Sequence, residues 1–181
     1  MDPSQIKNVV GERIYLRPLT LAAASPEYCA WLNDREVNEY LETRQSTIPE
    51  LKAYIQKQID DPNSIFVGIF DKVNDVHIGN IKLEPIDWQK KKAIFGILLG
   101  NKNYWGQGIG AEATQLIVHY AFDKLGLEEI ELGVIAENKR AIRSYEKAGF
   151  AQTGVRKNAI NHDGVLYDDV IMIIRKDQKY G

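Results

Sequence analysis

The sequence contains little cysteine, no long apolar run and no excess of one charge. Cys29 is the single cysteine among 181 residues, so an internal disulfide is excluded. No segment approaches the roughly 20 apolar residues of a membrane-spanning helix, and the first ten residues lack the apolar core of a signal peptide. The 23 basic and 25 acidic residues nearly cancel, which excludes a general surface for nucleic acid or anionic membrane. We therefore expect a cytoplasmic protein with neither nucleic acid nor membrane as a partner.

Metal-ligand spacing, internal repeats and low-complexity tracts are absent as well. The three histidines, His77, His119 and His162, are not spaced like metal ligands, so we expect no bound metal. A hydrophobic content of 44% and a charged content of 27% are typical of a globular protein. The length fits one domain with its own core, and we expect residues 1–181 to form a single domain.

Hydrophobic periodicity predicts an α/β (α+β) protein with a mixed sheet. Four helices are predicted, over Pro26–Asn33, after a capping box of Thr47 and Glu50, after Gly108, and after Asn138. The strand–helix–strand units favour parallel pairing, whereas the last two strands favour an antiparallel hairpin. Two-residue alternation and short apolar runs indicate six or seven strands: Ile14–Leu19, Ile65–Phe70, Val76–Glu84, Ala93–Leu99, Ile130–Ile135, Phe150–Val155 and Tyr167–Ile174.

The most informative segment is 103–120, with the sequence NYWGQGIGAEATQLIVHY. Gly106, Gly108 and Gly110 alternate and run directly into a helix with one apolar face. The start of a helix has backbone N–H groups without partners and a partial positive charge. Glycine allows a ligand to approach that backbone closely. The segment therefore predicts a phosphate-binding loop that needs no lysine.

Three other interpretations of this loop remain open. Gly106, Gly108 and Ala111 satisfy the dinucleotide pattern G-x-G-x-x-A, and Glu137 partly matches its ribose-binding acid. However, residues 101–105 separate the preceding strand from the first glycine, and too few residues follow for a doubly wound sheet. A nucleoside triphosphate loop would require Lys-Ser or Lys-Thr after the glycines. The glycines could also serve only a tight turn.

A second cluster, AENKRAIRSYEKAGF over 136–150, follows the next predicted strand. Asn138 and Tyr145 are seven residues apart, so they lie about 20° apart on one helix face. An amide and a phenol therefore point in the same direction. The pair follows a predicted strand, which itself follows the helix after the glycines.

Residues 105–111 (WGQGIGA) resemble the acetyl-CoA pyrophosphate loop of the GNAT superfamily of N-acetyltransferases, usually written Q/R-x-x-G-x-G/A. Trp105 stands where Gln or Arg is common. That departure recurs in a branch resembling the ribosomal-protein alanine N-acetyltransferases. The segments GERIYLRPLT (11–20), WLNDREV (31–37) and NKRAIRSYEKAGF (138–150) are similar to the same branch. The resemblance covers nearly the whole chain.

The resemblance implies a GNAT-like, mostly antiparallel sheet of six to seven strands flanked by about four helices. Its central strands, here around 97–100 and 130–135, would splay apart, and the pantetheine arm of the co-substrate acetyl-CoA would lie in the gap. Backbone groups of Leu98, Leu99 and Gly100 would meet the pantetheine and the acetyl carbonyl, an N–H there stabilising the oxyanion. Asn138 would bond the pantetheine. Arg143 or Lys147 would meet the ribose phosphate. The pyrophosphate would lie on the loop formed by Trp105, Gly106, Gln107, Gly108, Ile109, Gly110 and Ala111.

The implied reaction is direct transfer of an acetyl group to a primary amine. Tyr145 matches the family position whose phenol protonates the leaving thiolate, and a phenol pKa near 10 exceeds a thiol pKa near 8.5. Glu84 is the first candidate for the general base. The alternatives are proton loss through water, or a base at Asp87, His162 or Asp168.

The acceptor pocket of the family is built by the first two helices, strand-end loops and the final hairpin. Here those elements would contribute Trp31, Tyr40, Arg44, Trp88 and Tyr167, and Arg44 could pair with a carboxylate or phosphate. The segment IGNIKLEPIDW, followed by AIFGILLG, resembles acetyltransferases that act on nucleotide-linked amino sugars. A protein N-terminus, a small polyamine and an amino acid remain open as acceptors.

Two classes of function follow from the resemblance. The first is an acetyl-CoA-dependent N-acetyltransferase that acts on a small-molecule or peptide amine. The second is a non-catalytic acyl-CoA-binding sensor or interaction module with the same fold. Tyr145 favours the enzyme, since a binding module needs no proton donor. Members of the family often dimerise, so a homodimer is expected by resemblance alone.

Overall fold

The structure is a computed structural model that describes residues 8–41 and 45–177. Eight strands form one sheet in these residues, in the order β1-β2-β3-β4-β5-β6-β8-β7. The strands are β1 (Val9–Val10), β2 (Ile14–Pro18), β3 (Ile65–Asp71), β4 (His77–Asp87), β5 (Lys92–Leu99), β6 (Glu129–Ile135), β7 (Ala151–His162) and β8 (Val165–Arg175).

Five α-helices flank the sheet in the described residues: α1 (Pro26–Asn33), α2 (Arg35–Asn38), α3 (Ile48–Asp60), α4 (Ile109–Asp123) and α5 (Lys139–Lys147). The predicted capping box begins α3. The Thr47 hydroxyl accepts the amide of Glu50, and the Glu50 carboxylate accepts the amide of Thr47 at 2.8 Å. These bonds satisfy donors that the first turn of a helix leaves unpaired. None of the described helices combines the length and apolarity needed to span a membrane.

One pair of strands decides the shape of the sheet. All neighbouring strands are antiparallel except β5 and β6, which are parallel. Their pairing covers only Lys92–Ile94 against Glu129–Glu131. Beyond that point β5 stays paired with β4 and β6 stays paired with β8. The two central strands therefore diverge, as predicted, and a gap opens between 95–99 and 132–135.

The two faces of the sheet carry different cores because side chains alternate along each strand. On β4, Ile81 and Leu83 enter the main core, which α4 and α5 cover. Lys82 and Glu84 point to the other face, where α1 and α3 pack with a smaller core of Tyr28, Leu32, Leu51 and Ile55. The gap thus connects a face covered by α4 and α5 with a face covered by α1 and α3.

The mixed, mostly antiparallel fold is confirmed, and a few predicted details are wrong. The sheet has eight strands because β1, only two residues long, is too short to show a periodicity. α2 is a single turn and was not predicted. The final hairpin is longer than expected: β7 continues past Val155 to His162 across two irregularities in its register with β8. A single parallel pair also rules out the doubly wound sheet of the dinucleotide interpretation.

Candidate active site

A cavity of about 900 Å³ lies at the gap between β5 and β6. One side of it is formed by β5, β6, the glycine loop and α5, and the other by the first three helices, β4 and the final hairpin. Residues of α1, α2 and α3 thus meet residues of the glycine loop and α5 at one cavity, although these elements are distant in the sequence. The predicted site residues that line the cavity are Tyr40, Glu84, Leu98, Leu99, Trp105, Gly106, Ile109, Gly110, Asn138, Tyr145 and His162.

On the β5 side of the gap, Leu99 is the predicted contact whose backbone faces the opening. The Gly100 amide donates to the Ile78 carbonyl at 3.1 Å, so Gly100 and Leu98 direct their backbone groups to β4. Antiparallel pairing alternates this direction, and the groups of Leu99 point away from β4. The Leu99 carbonyl accepts the indole N–H of Trp105 at 2.7 Å. The expected backbone contact of Gly100 is therefore replaced by a bond within the sheet.

The facing edge of the gap belongs to β6. The Ala136 amide donates to the Asp168 carbonyl at 3.0 Å, so alternate residues of β6 face β8 and the intervening Gly133 and Ile135 face the gap. Both residues line the cavity. Two strand edges that lack a strand partner thus face each other. An extended ligand that carries amide groups can bond to both of them.

The glycine loop has the conformation that only glycine adopts readily. Gly106 and Gly108 have φ values of +73° and +79°, in the left-handed region that L side chains avoid. Gly108 is the N-cap of α4 and has no side chain to bond the first turn. Within the described residues, the six amides of 106–111 have no protein acceptor in hydrogen-bond geometry. Free amides at the positive end of a helix dipole are an arrangement that can hold an anion.

Arg13, which was not predicted as a site residue, holds the loop from the far end of the sheet. Its guanidinium donates to the Gln107 carbonyl at 2.7 Å and to the Glu112 carboxylate at 2.8 Å. The Arg13 amide donates to the same carboxylate at 2.9 Å. Gln107 also donates from its side chain to the Asn103 carbonyl at 2.6 Å. These bonds fix the loop while leaving its amides free.

Helix α5 brings Asn138 and Tyr145 to the cavity, as their spacing predicted. Asn138 begins the helix, and its side-chain oxygen accepts the Ala141 amide at 3.1 Å. The Tyr145 ring packs edge-on against Phe95 of β5, with 5.9 Å between ring centroids. Burial raises the pKa of Tyr145 to about 12. The phenol therefore keeps its proton at any physiological pH.

The basic residues of α5 differ in their surroundings. Arg143 and Lys147 are exposed and do not line the cavity. Arg140 does line it, with its guanidinium carbon 3.9 Å from the centre of the Trp105 ring.

Glu84 lies on the side of the cavity that β4 and α3 form, and it belongs to a series of hydrogen-bonded side chains. Its carboxylate accepts Gln58 at 2.9 Å and Lys82 at 3.2 Å. Gln58 in turn accepts the hydroxyl of Ser64 at 2.5 Å. Burial lowers the pKa of Lys82, but Tyr54 and Glu84 outweigh it and the net direction is upward. The carboxylate is thus held in place by fixed donors.

The other candidate bases lie in different surroundings. Asp87 accepts the Lys90 amide at 2.8 Å in a turn, and this bond lowers its pKa. Asp168 pairs with Lys157 at 2.7 Å, which also lowers its pKa. Neither residue lines the cavity, whereas His162 does.

The predicted acceptor-binding residues are dispersed. Trp31 packs against Gly100 and His77 and lines a second, smaller cavity instead of the large one. Trp88 donates to the Pro62 carbonyl at 3.1 Å and is absent from the lining of the large cavity. The Tyr167 ring packs edge-on against the His162 ring, with 5.8 Å between ring centroids. His162 lines the cavity and Tyr167 does not. Tyr40 lines the cavity, and Arg44 lies outside the described residues.

Two cavity-lining polar groups were missed by sequence reasoning. In the part of the chain that the structure describes, Asn80 Nδ2 and Asp169 Oδ1 are the buried side-chain N and O atoms that have no hydrogen-bond partner. Both residues line the cavity, and their exposed fractions are 2% and 6%. Successive side chains of β8 point to opposite faces of the sheet, so this pattern could have indicated Asp169 in place of its neighbour Asp168. No group of three or more metal-binding side chains occurs among the described residues.

Comparisons with known proteins agree with this geometry. The model of the acetyltransferase (GNAT) domain matches residues 13–151. A probable N-acetyltransferase of Bacillus subtilis, YjcK, is 30% identical over 91% of this chain and 94% of its own. The N-acetyltransferase p20 of Bacillus licheniformis is 29% identical over 94% and 97%. The solved structure of spermidine N-acetyltransferase from Vibrio cholerae, in complex with CoA and spermine, superposes with a TM-score of 0.85 at 24% identity, covering 93% and 99%.

The chain therefore belongs to the GNAT family of acetyltransferases. The predictions of the family, of an N-acetyltransferase and of acetyl-CoA as co-substrate are confirmed by this membership. Family membership does not assign roles to individual residues, which rest on the geometry of the cavity.

Proposed function

We propose that this protein transfers the acetyl group of acetyl-CoA directly to the primary amine of a small cationic molecule. The observation that carries the proposal is the divergence of β5 and β6 after Ile94 and Glu131. It leaves an opening between an anion-binding loop and a cavity rich in carboxylates. A donor that enters from the loop side and an acceptor that enters from the other side would meet in the gap.

The coenzyme half of the proposal rests on free backbone donors. The amides of 106–111 and the dipole of α4 would bind the pyrophosphate. The Leu99 N–H and the backbone groups of Gly133, which have no strand partner, would bond the pantetheine amides, and the pantetheine would then act as a short extra strand. Asn138 lies at the same opening and offers its side-chain NH₂ group.

The catalytic half rests on Tyr145. The neutral amine would attack the thioester carbonyl, and a backbone N–H at the edge of β5 would stabilise the oxyanion. The phenol of Tyr145 would protonate the departing thiolate, and its raised pKa keeps that proton available. Glu84, held by Gln58 and Lys82, would receive the proton of the acceptor amine.

The charge of the cavity favours a cationic acceptor. Among the described residues, its lining contains five carboxylates and two cations, Lys82 and Arg140. A nucleotide-linked sugar would bring phosphate charge beside these carboxylates, whereas a diamine or polyamine would be attracted. The spermidine N-acetyltransferase of similar fold supports the same choice. The carboxylates belong to Glu36, Glu39, Glu50, Glu84 and Asp169.

Release of free thiol from acetyl-CoA, followed over a panel of amines, tests the proposal. The panel contains spermidine, a peptide with a free N-terminus, an amino acid and a nucleotide-linked amino sugar. We expect the highest kcat/KM with spermidine and a KM that rises with salt, since charge attraction is screened. A preference for the nucleotide-linked sugar would contradict the cationic acceptor. Absence of turnover with every amine, despite acetyl-CoA binding, would favour the non-catalytic binding module.

A further inference from the structure

Two glycines face each other across the gap, and each is covered by a charged side chain from the neighbouring outer strand. Gly96 of β5 lies beneath Lys82, whose side-chain carbons would be 3.4 Å from an added Cβ. Gly133 of β6 lies beneath Asp169, whose Oδ1 would be only 2.6 Å from an added Cβ. A larger residue at 133 would displace the carboxylate. Glycine at this position therefore lets Asp169 of β8 lean over β6 toward the gap.

The two oxygens of Asp169 have different surroundings. Oδ2 accepts the guanidinium of Arg156 at 2.9 and 3.1 Å. Oδ1 is buried and has no partner among the described residues. A buried acceptor that remains unpaired destabilises the folded state, and such atoms are rare in folded proteins unless a ligand or water pairs with them. Arg156 holds the carboxylate in place, and its second oxygen is available to a donor in the cavity.

We infer that Asp169 is an acceptor-binding residue whose Oδ1 accepts a hydrogen bond from the ammonium group of the substrate amine. The inference rests on the proposed function, because it assumes an amine acceptor at the gap. The ammonium supplies both charge and N–H donors, which match an unpaired carboxylate oxygen. Binding beside Gly133 would hold the amine at the β6 edge, next to the expected path of the thioester. Arg156 is a positioning residue that fixes the orientation of the carboxylate.

The first test compares Asp169→Asn with Arg156→Gln. Both substitutions break the same ion pair, so a purely structural role would lower stability and activity alike. We expect Asp169→Asn to raise the KM for spermidine at least tenfold and leave the KM for acetyl-CoA within twofold. Arg156→Gln, which keeps the carboxylate, should raise the spermidine KM less than threefold. Equal acceptor KM values for the wild type and Asp169→Asn would overturn the inference.

A second pair of variants leaves Asp169 in place and remains informative if Asp169→Asn does not fold. Gly133→Ala introduces the Cβ that collides with Oδ1, whereas Gly154→Ala on β7 places its Cβ where no atom lies within 4 Å. We expect Gly133→Ala to raise the spermidine KM about fivefold, by displacing a charge-assisted hydrogen bond, and Gly154→Ala to leave it unchanged. Equal spermidine KM values for the two alanine variants would overturn the inference.

Calorimetry with spermidine and CoA separates this inference from the proposed function. Binding of spermidine that depends on Asp169, without turnover by the wild type, would support the inference and contradict the proposed reaction. Turnover with an acceptor KM that does not depend on Asp169 would support the reaction and overturn the inference. Absence of both binding and turnover would overturn both.

Discussion

The guanidinium of Arg140 stacks on the indole of Trp105, with 3.9 Å between the guanidinium carbon and the ring centre. Trp105 also donates its ring N–H to the Leu99 carbonyl at 2.7 Å. Helix α5, the glycine loop and the end of β5 are thus joined by one side chain. The stacked Arg140 thus places a positive charge beside the loop.

Substitution of Trp105 should weaken coenzyme binding in two steps. We expect Trp105→Phe, which keeps an aromatic ring beneath Arg140, to raise the KM for acetyl-CoA about threefold. Trp105→Ala, which removes both contacts, should raise it about tenfold, since a cation–π contact and a hydrogen bond together contribute roughly 1–2 kcal/mol. Initial rates at varied acetyl-CoA concentration measure both effects. Lys139→Ala, an exposed cation on the same helix, is the control, and an unchanged KM in Trp105→Ala would disprove the role.

Removal of the Tyr145 hydroxyl should reduce turnover without affecting coenzyme binding. We expect Tyr145→Phe to lower kcat about 100-fold, the lower range of general acid catalysis. The ring still packs against Phe95, so calorimetry should find the same affinity for CoA. A variant that loses CoA affinity as much as kcat would show that Tyr145 acts only in packing.

The raised pKa of Tyr145 should also appear in the stability of the protein at alkaline pH. The unfolded phenol ionises near pH 10 and the folded one near pH 12, so the unfolded state loses its proton first. Stability is therefore unaffected well below pH 10 and falls as the pH rises from 10 toward 12. Urea unfolding at pH 8 and 10.5 should show that the wild type loses more stability than Tyr145→Phe, by an amount on the order of 1 kcal/mol. Equal losses of stability in the wild type and in Tyr145→Phe would contradict a raised pKa of Tyr145.

Gly106 and Gly126 offer a matched test of the loop. Both have a φ of +73° and no atom within 4 Å of an added Cβ, so alanine should strain each by roughly 1–2 kcal/mol. We expect a similar loss of thermal stability in Gly106→Ala and Gly126→Ala. Only Gly106→Ala should raise the KM for acetyl-CoA, because Gly126 lies beyond the far end of α4. Equal KM values for the two variants would argue against a phosphate site at the loop.

Glu84 can be tested as the general base by an isosteric change. We expect Glu84→Gln to lower kcat/KM for the acceptor by about 100-fold with little change in the KM for acetyl-CoA. Asp60→Asn, on the exposed face of α3, is the matched control because it makes the same chemical change away from the cavity. Full activity of Glu84→Gln would indicate proton loss through water or another group.

Much of the site was predictable because its central parts are local in sequence. The alternate glycines before an apolar helix face indicate a helix start with free amides, and the seven-residue spacing of Asn138 and Tyr145 places both on one face. Boundaries such as Pro26–Asn33 and the capping box at Thr47 were correct because caps act within one turn. The lengths of β7 and β8 were underestimated, since their hairpin is stabilised by pairing between strands that single-strand periodicity does not record.

By itself, the sequence determined the secondary structure around the loop, the placement of Asn138 and Tyr145 on one helix face and the absence of an internal disulfide. Only the tertiary structure decided which charged groups enter the cavity. Arg13 reaches Gln107 across 94 positions of the chain, and Asp169 reaches the gap only because glycine occupies position 133 on the adjacent strand. Such contacts depend on strand order and register, which long-range packing sets and which no local pattern contains.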